Sequence, residues 1–311
     1  MIVDSLESSL KAFLKTLPTV DEVGVNARTA TLATRSIKTT SKAWAIDTAI
    51  SMVDLTTLEG ADTPGKVRAL CAKAVRPDAT DLTVPSVGAV CVYNDMVSIA
   101  RTALDEIGGK HIPVAAVSTA FPSGRASFKV KAQDTQDAID AGAGEIDMVI
   151  DRGAFLSGRY GEVFEEIQKI KAICGEKAHL KVILETGELV TLDNVRKASY
   201  LAMLAGADFI KTSTGKVSPA ATAPVVYVML EAVRDYYSST KVRIGVKPAG
   251  GIRNTKDAIK QLVLVNEVAG PEWLTPSLFR IGASALLNDL LLQRMKMRDG
   301  YYASPSYVTL D

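Results

Sequence analysis

Two lysines end apolar runs in the same manner. Ala207-Asp208-Phe209-Ile210 leads into Lys211, and Arg243-Ile244-Gly245-Val246 leads into Lys247. A charged side chain there is costly to desolvate unless it is paired or used. A lysine of ordinary pKa is free amine in only about one molecule in 2,500 at pH 7. Burial and a neighbouring ammonium both penalise the protonated form, and a fall to about 7 leaves roughly half of it nucleophilic. Such an amine attacks carbonyl carbon and forms a Schiff base. Spacing alone gives equal weight to a structural reading, in which each lysine pairs with Asp147 or Asp208. In Glu145-Ile146-Asp147 the alternation turns carboxylate inward and Ile146 outward. Asp147 and Asp54 each fit charge balance as well as a proton shuttle. Glu185 is a further charge at a strand end.

A second signal suits phosphate. Thr212-Ser213-Thr214-Gly215-Lys216, Pro248-Ala249-Gly250-Gly251 and Gly282-Ala283-Ser284 each follow an apolar run. Small residues let the backbone approach an anion, and hydroxyls add donors. Any one of these loops is also an ordinary βα turn; it is their succession that favours phosphate. Thr214-Gly215-Lys216 is not the end of a P-loop, because Ile210 stands where the first glycine belongs and Val217 follows the lysine. No Gly-x-Ser-x-Gly or His-Glu-x-x-His occurs. The two histidines, His111 and His179, fall at the starts of runs, away from the expected site. Cys91 reads as a core side chain, with no histidine placed to activate it. Three scattered cysteines without a CxxC argue against disulfides or structural zinc and fit a reducing compartment.

The elements that position these residues alternate. Strand candidates are Ser51–Leu55, Gly88–Tyr93, Pro113–Thr119, Glu145–Ile150, His179–Leu184, Asp208–Thr212, Arg243–Lys247 and Leu278–Gly282. Continuous apolar runs of this kind suit parallel strands covered on both faces. Helical stretches at Asp62–Ala74, Gln133–Ala141, Asp193–Ala205, Ala223–Tyr237 and Asn254–Val265 lie between them. The expected fold is an α/β (β/α)8 TIM barrel over residues 42–298, with its site at the C-terminal ends of the strands. A doubly wound sheet is disfavoured because Asp54-Leu55-Thr56-Thr57-Leu58 lacks a glycine fingerprint. Residues 1–41 read as a helical extension (Ser5–Leu17) and a linker, and 299–311 as an irregular tail. The stretch Val23–Ile46, free of acidic residues, is taken as solvated linker rather than targeting signal.

A net charge of +1 gives no electrostatic reason to expect nucleic acid or an anionic membrane. No run reaches the roughly 18 apolar residues of a membrane span, and a cytoplasmic location is expected.

The long motifs resemble those of the 2-deoxyribose-5-phosphate aldolases. They are Gly206-Ala207-Asp208-Phe209-Ile210-Lys211-Thr212-Ser213-Thr214-Gly215-Lys216, Asp54-Leu55-Thr56-Thr57-Leu58, Glu185-Thr186-Gly187-Glu188-Leu189, Lys247-Pro248-Ala249-Gly250-Gly251 and Phe279-Arg280-Ile281-Gly282-Ala283-Ser284. The resemblance runs in order from about residue 42 to 295. It implies a class I aldolase without metal or other cofactor, which splits 2-deoxy-D-ribose 5-phosphate reversibly into acetaldehyde and D-glyceraldehyde 3-phosphate. By the same resemblance Lys211 forms the Schiff base, Lys247 lowers its pKa, and Asp147 moves the proton by way of a water. Asp54 and Thr56 hold the reacting groups, with Cys91 placed beside them as a substrate contact. Thr214, Lys216, Gly250, Gly251, Arg253 and Ser284 surround the phosphate. Ala285 stands where the family has a second hydroxyl residue. The implied partner is a small sugar phosphate, and the implied assembly a homo-oligomer, taken as a dimer. A non-catalytic sugar-phosphate-binding barrel and a sugar-phosphate isomerase are the competing readings.

Overall fold

All eight apolar runs are strands in the computed structural model, which describes residues 2–309, with side chains from Leu6 onward. They are β1 (Val53–Thr56), β2 (Ala89–Val92), β3 (Val114–Ser118), β4 (Glu145–Val149), β5 (His179–Ile183), β6 (Phe209–Lys211), β7 (Gly245–Lys247) and β8 (Ile281–Ala283). Consecutive strands pair in parallel from β1 to β7, and β8 pairs with β1. Between β7 and β8 the closure is looser, through single bridges Val246–Phe279 and Ala249–Gly282. The architecture is the (β/α)8 barrel that the alternation predicts.

Strand parity divides the core in two. Leu55, Val90, Val114, Ile146, Val182, Ile210 and Val246 join the layer shared with the helices. Each such side chain, fully removed from water, contributes about 1.5–3 kcal/mol. The opposite parity faces the barrel axis, and there the residues are mostly charged or small. Gly245 is required on that face. A Cβ at this position would lie 2.2 Å from the Phe209 ring, which fills the floor beside it.

Before the barrel come α1 (Ile2–Thr16), α2 (Glu22–Ala33) and α3 (Thr39–Ser51). The crossovers and a short insert are α4 (Pro64–Val75), α5 (Val97–Glu106), α6 (Phe128–Asp140), α7 (Arg152–Leu156), α8 (Tyr160–Cys174), α9 (Leu192–Leu204), α10 (Ala223–Thr240), α11 (Thr255–Val268) and α12 (Leu286–Asp299). Local chemistry sets their starts. Thr63 caps α4 ahead of Pro64, and the Asn254 side chain accepts the Asp257 N–H at 2.9 Å to open α11.

The linker reading of Val23–Ile46 is corrected: most of it is helix. Asp21 caps α2 by accepting from the Gly24 N–H at 2.9 Å. α2 packs on α10 and α11, and α3 packs on α11 and α12 through Ala45, Ile46, Ala49 and Ile50. α3 runs across the boundary placed at residue 41 and ends at Ser51, which is therefore not part of the first strand. The tail carries one short 3-10 turn, Pro305–Tyr307; Leu310 and Asp311 lie outside the described residues. Among the described residues no helix is long and apolar enough to cross a membrane.

Candidate active site

Parity brings seven charged side chains into the barrel. Lys211 and Lys247 are register partners on β6 and β7, and each Nζ donates to Asp147 Oδ2 at 2.7 Å. Lys247 Nζ also lies 2.5 Å from Asp54 Oδ2, an ion pair without hydrogen-bond alignment. Lys181, in the middle of β5, donates to Asp147 Oδ1 at 3.0 Å and to Glu145. Arg280, immediately before β8, donates to Asp54 Oδ1 at 2.7 Å and to Glu145 Oε1 at 2.9 Å. All seven are buried. The alternative partner for the lysines, Asp208, points elsewhere and pairs with Lys171 at 2.6 Å.

The electrostatics follow from this crowding. Burial alone raises a carboxyl, but the surrounding cations reverse it. Lys247 and Arg280 hold Asp54 below the usual carboxylate range, and Lys181, Lys211 and Lys247 hold Asp147 well below it. Lys247 is raised well above the ordinary lysine value, because Asp147 and Asp54 outweigh its desolvation. Lys181 is raised by Asp147 and Glu145 against the same burial. Lys211 alone moves down. Burial is the largest cause, Asp147 opposes it, and the Lys247 ammonium adds to the fall. Burial and the neighbouring ammonium are the two causes that the sequence offers for a lowered lysine.

The other half of the interior is apolar. Leu58, Cys91, Ala115 and Val117 form a separate buried cluster, with Tyr93 and Phe121 against it. Burial pushes the Cys91 thiol up, so it stays neutral among the lysines. Thr56 is half-buried, and its hydroxyl donates to the Asp54 carbonyl at 2.7 Å.

The rim is built from the loops after β6, β7 and β8. A Cβ on Gly250 would lie 2.7 Å from that of Ala220, so the β7 loop seats directly on the β6 loop. Gly250 and Gly251 both take positive φ, 81° and 87°. Ser284 is exposed just before α12, whose first N–H groups carry no side-chain cap, Ala285 being unable to supply one. Arg253 is exposed ahead of α11. Lys216 Nζ reaches across to Glu59 Oε1 at 3.0 Å. Thr214 departs from expectation. It is buried, and its hydroxyl donates to Glu185 Oε2 at 2.5 Å, so the side chain braces the loop instead of offering a phosphate donor. Desolvation raises the Glu185 carboxyl, against the pull of these bonds.

Lys181 and Arg280 were not among the residues expected in the site, and Glu145 was not given a role. The signal was present in each case: a charge interrupts an apolar run at inward parity, as Asp147 does. His111 and His179 line a cavity at the other end of the barrel, as their positions implied.

Comparison with known proteins agrees with this geometry. The DeoC/LacD family aldolase model matches residues 48–291. The human protein named deoxyribose-phosphate aldolase is 46% identical over 280 residues, covering 88% of this chain and 87% of that one. A crystal structure of a putative deoxyribose-phosphate aldolase from Coccidioides immitis superposes with a TM-score of 0.67 at 30% identity, over 93% of this chain and 97% of that one. A putative deoxyribose-phosphate aldolase from Toxoplasma gondii, solved in the apo form, gives 0.72 at 25% identity, over 85% and 100%. By this match over most of its length, the chain belongs to the DeoC/LacD family of aldolases.

Proposed function

We propose that this protein cleaves 2-deoxy-D-ribose 5-phosphate reversibly to acetaldehyde and D-glyceraldehyde 3-phosphate through a Schiff base on Lys211. One observation carries the reading: Lys211 is the single interior lysine whose pKa moves down, and its Nζ touches the carboxylate that can serve the proton transfers. Family membership and the names of the relatives support the substrate.

The chemistry follows from the geometry. The Lys211 amine adds to C1 of the open-chain aldehyde, and the carbinolamine loses water to give a protonated imine. That imine is an electron sink. When Asp147 takes the C3 hydroxyl proton, the C2–C3 bond breaks and glyceraldehyde 3-phosphate leaves with the new carbonyl at C3. The bonding pair becomes the C1–C2 double bond of an enamine. Protonation at C2 and hydrolysis release acetaldehyde and restore the amine. Lys181, Lys211 and Lys247 keep Asp147 ionised, the form that accepts the C3 hydroxyl proton in cleavage. Lys216, the Gly250-Gly251 turn, Ser284, the uncapped N-terminus of α12 and exposed Arg253 are assigned to the phosphate, all on or after the loops that follow β6, β7 and β8. Asp54 orients Lys247, and Cys91 with Val117 offers an apolar surface to the two-carbon fragment.

Borohydride trapping with acetaldehyde tests the reading: an ethylated Lys211 peptide is expected, and an unmodified one rejects it. Acetaldehyde release, coupled to alcohol dehydrogenase and insensitive to chelator, separates the aldolase from a binding barrel or an isomerase. A homodimer in the cytoplasm is the expected setting, and sedimentation measures the assembly.

A further inference from the structure

The buried charges inside the barrel form a closed ring of alternating sign. Arg280 meets Asp54, which meets Lys247; Lys247 meets Asp147, which meets Lys181; Lys181 meets Glu145, which returns to Arg280. Three cations thus face three carboxylates, and the ring is neutral by itself. Lys211 hangs from it by one contact, to the Asp147 oxygen that Lys247 already holds. With every group ionised, the interior carries one positive charge too many. In a water-poor space, the group with fewest carboxylate neighbours loses its proton at least cost. Lys247 has two such neighbours and Lys181 has more. Arg280 does not deprotonate.

Resting on the aldolase reading above, we propose that Arg280 and Glu145 are positioning residues. From the foot of the barrel they complete the charge-matched ring, and so leave Lys211 as the lysine that captures the carbonyl. Both line the cavity at the far end of the barrel from the rim, together with His111 and His179. Neither has a hydrogen bond or ion pair to Lys211 among the described residues. Lys211 itself is faced by Asp147 from β4, Lys247 from β7 and the neutral Cys91 thiol from β2. Lys181 on β5 reaches it through Asp147, and Asp54 on β1 and Arg280 before β8 through Lys247. β3 presents only Ala115 and Val117, Tyr93 stands at the end of β2, and Glu185 after β5 is turned to Thr214.

The ring predicts opposite signs for its two ends. R280M removes a cation, so the Lys211 ammonium now matches the third carboxylate and its proton is held more tightly. E145Q removes an anion and acts in reverse. R280M/E145Q leaves two charges of each sign and is neutral again. The readout is the pH at which acetaldehyde and borohydride half-maximally ethylate the Lys211 peptide. In that step the amine adds to the aldehyde carbon, water leaves, and borohydride delivers hydride to carbon while solvent protonates nitrogen. The midpoint should rise by about one pH unit in R280M and fall by about one in E145Q. It should return near wild type in the double variant and stay there in R280K. A merely structural role would lower the yield with the midpoints unmoved. Equal midpoints in all variants, with wild type trapped at Lys211, overturn the ring; no trapping in wild type overturns the aldolase reading instead. If R280M does not fold, E145Q against the double variant decides in the same terms, and equal midpoints there overturn the proposal.

Discussion

Lys211 and Lys247 stand opposite one another on neighbouring strands and converge on a single oxygen, Asp147 Oδ2, at 2.7 Å each. Two unit charges about 4 Å apart, at an effective dielectric near 20, interact by about 4 kcal/mol. That repulsion acts in the same direction as burial on Lys211, against the Asp147 carboxylate. Only one of the two gives way, because Lys247 has a second carboxylate in Asp54 and Lys211 does not.

Substitution should separate nucleophile from neighbour. Lys211→Met removes the attacking amine, and kcat should fall by about 10⁴ or more, with no ethylated peptide after trapping. Lys247→Met keeps the amine but leaves Lys211 the full use of Asp147, so its proton is retained. Turnover at pH 7 should fall by about 10²–10³ and recover in part as the pH is raised. A pH–rate series on both variants checks this; equal losses at every pH would contradict it.

The acid limb of the rate profile belongs to Lys211. Its lowered value means that amine appears as pH rises through a range below that of an ordinary lysine. Asp147 and Asp54 are depressed instead, so the stability they contribute is present above their unfolded values, near pH 4. It is lost only as pH falls through the lower folded ones. At pH 5 the protein should therefore be folded and slow. Circular dichroism and acetaldehyde release measured on the same samples would show loss of activity well before loss of structure.

The barrel was readable because parallel strands buried on both faces must be continuously apolar, and each of the eight runs became a strand. The charges that interrupt those runs marked the site for Asp147, Lys211 and Lys247. The same mark stands at Lys181, mid-strand like its register partner Asp147, and at Arg280, one residue before β8, where a charge reads equally as structural pairing. α2 was hidden for a different reason. It buries only Val25 and Thr29, too thin a stripe to show a helical period. The Glu185–Thr214 brace depends on the left-handed backbone at Glu185, φ 52°, which no spacing reveals.

The Lys216–Glu59 pair predicts how phosphate is recognised. Glu59 is exposed and competes for the same ammonium that a phosphate would use. Lys216→Ala should raise KM for the phosphorylated sugar by about tenfold, the loss of one charge-assisted hydrogen bond. It should leave kcat/KM for unphosphorylated 2-deoxyribose unchanged. Glu59→Ala should lower KM for the phosphorylated substrate a few-fold, since the lysine is then free. Parallel kinetics with both sugars would expose a rim that does not bind phosphate: neither variant would distinguish them.

Stability should divide the two lysines as sharply as activity does. Lys247→Met strips buried Asp54 of its close lysine, and breaking such a pair costs about 3–5 kcal/mol, while Asp147 keeps Lys181 and Lys211. At roughly 2 °C per kcal/mol for a chain of this size, Tm should drop by about 6–10 °C. Lys211→Met removes a buried amine that has one shared carboxylate and leaves the six charges of the ring matched. It should raise Tm by about 2 °C, stability gained where reactivity is lost. Differential scanning calorimetry at pH 7 measures both. If the two variants melt together, the lysines are electrostatically equivalent, and the asymmetry that makes Lys211 the nucleophile is absent.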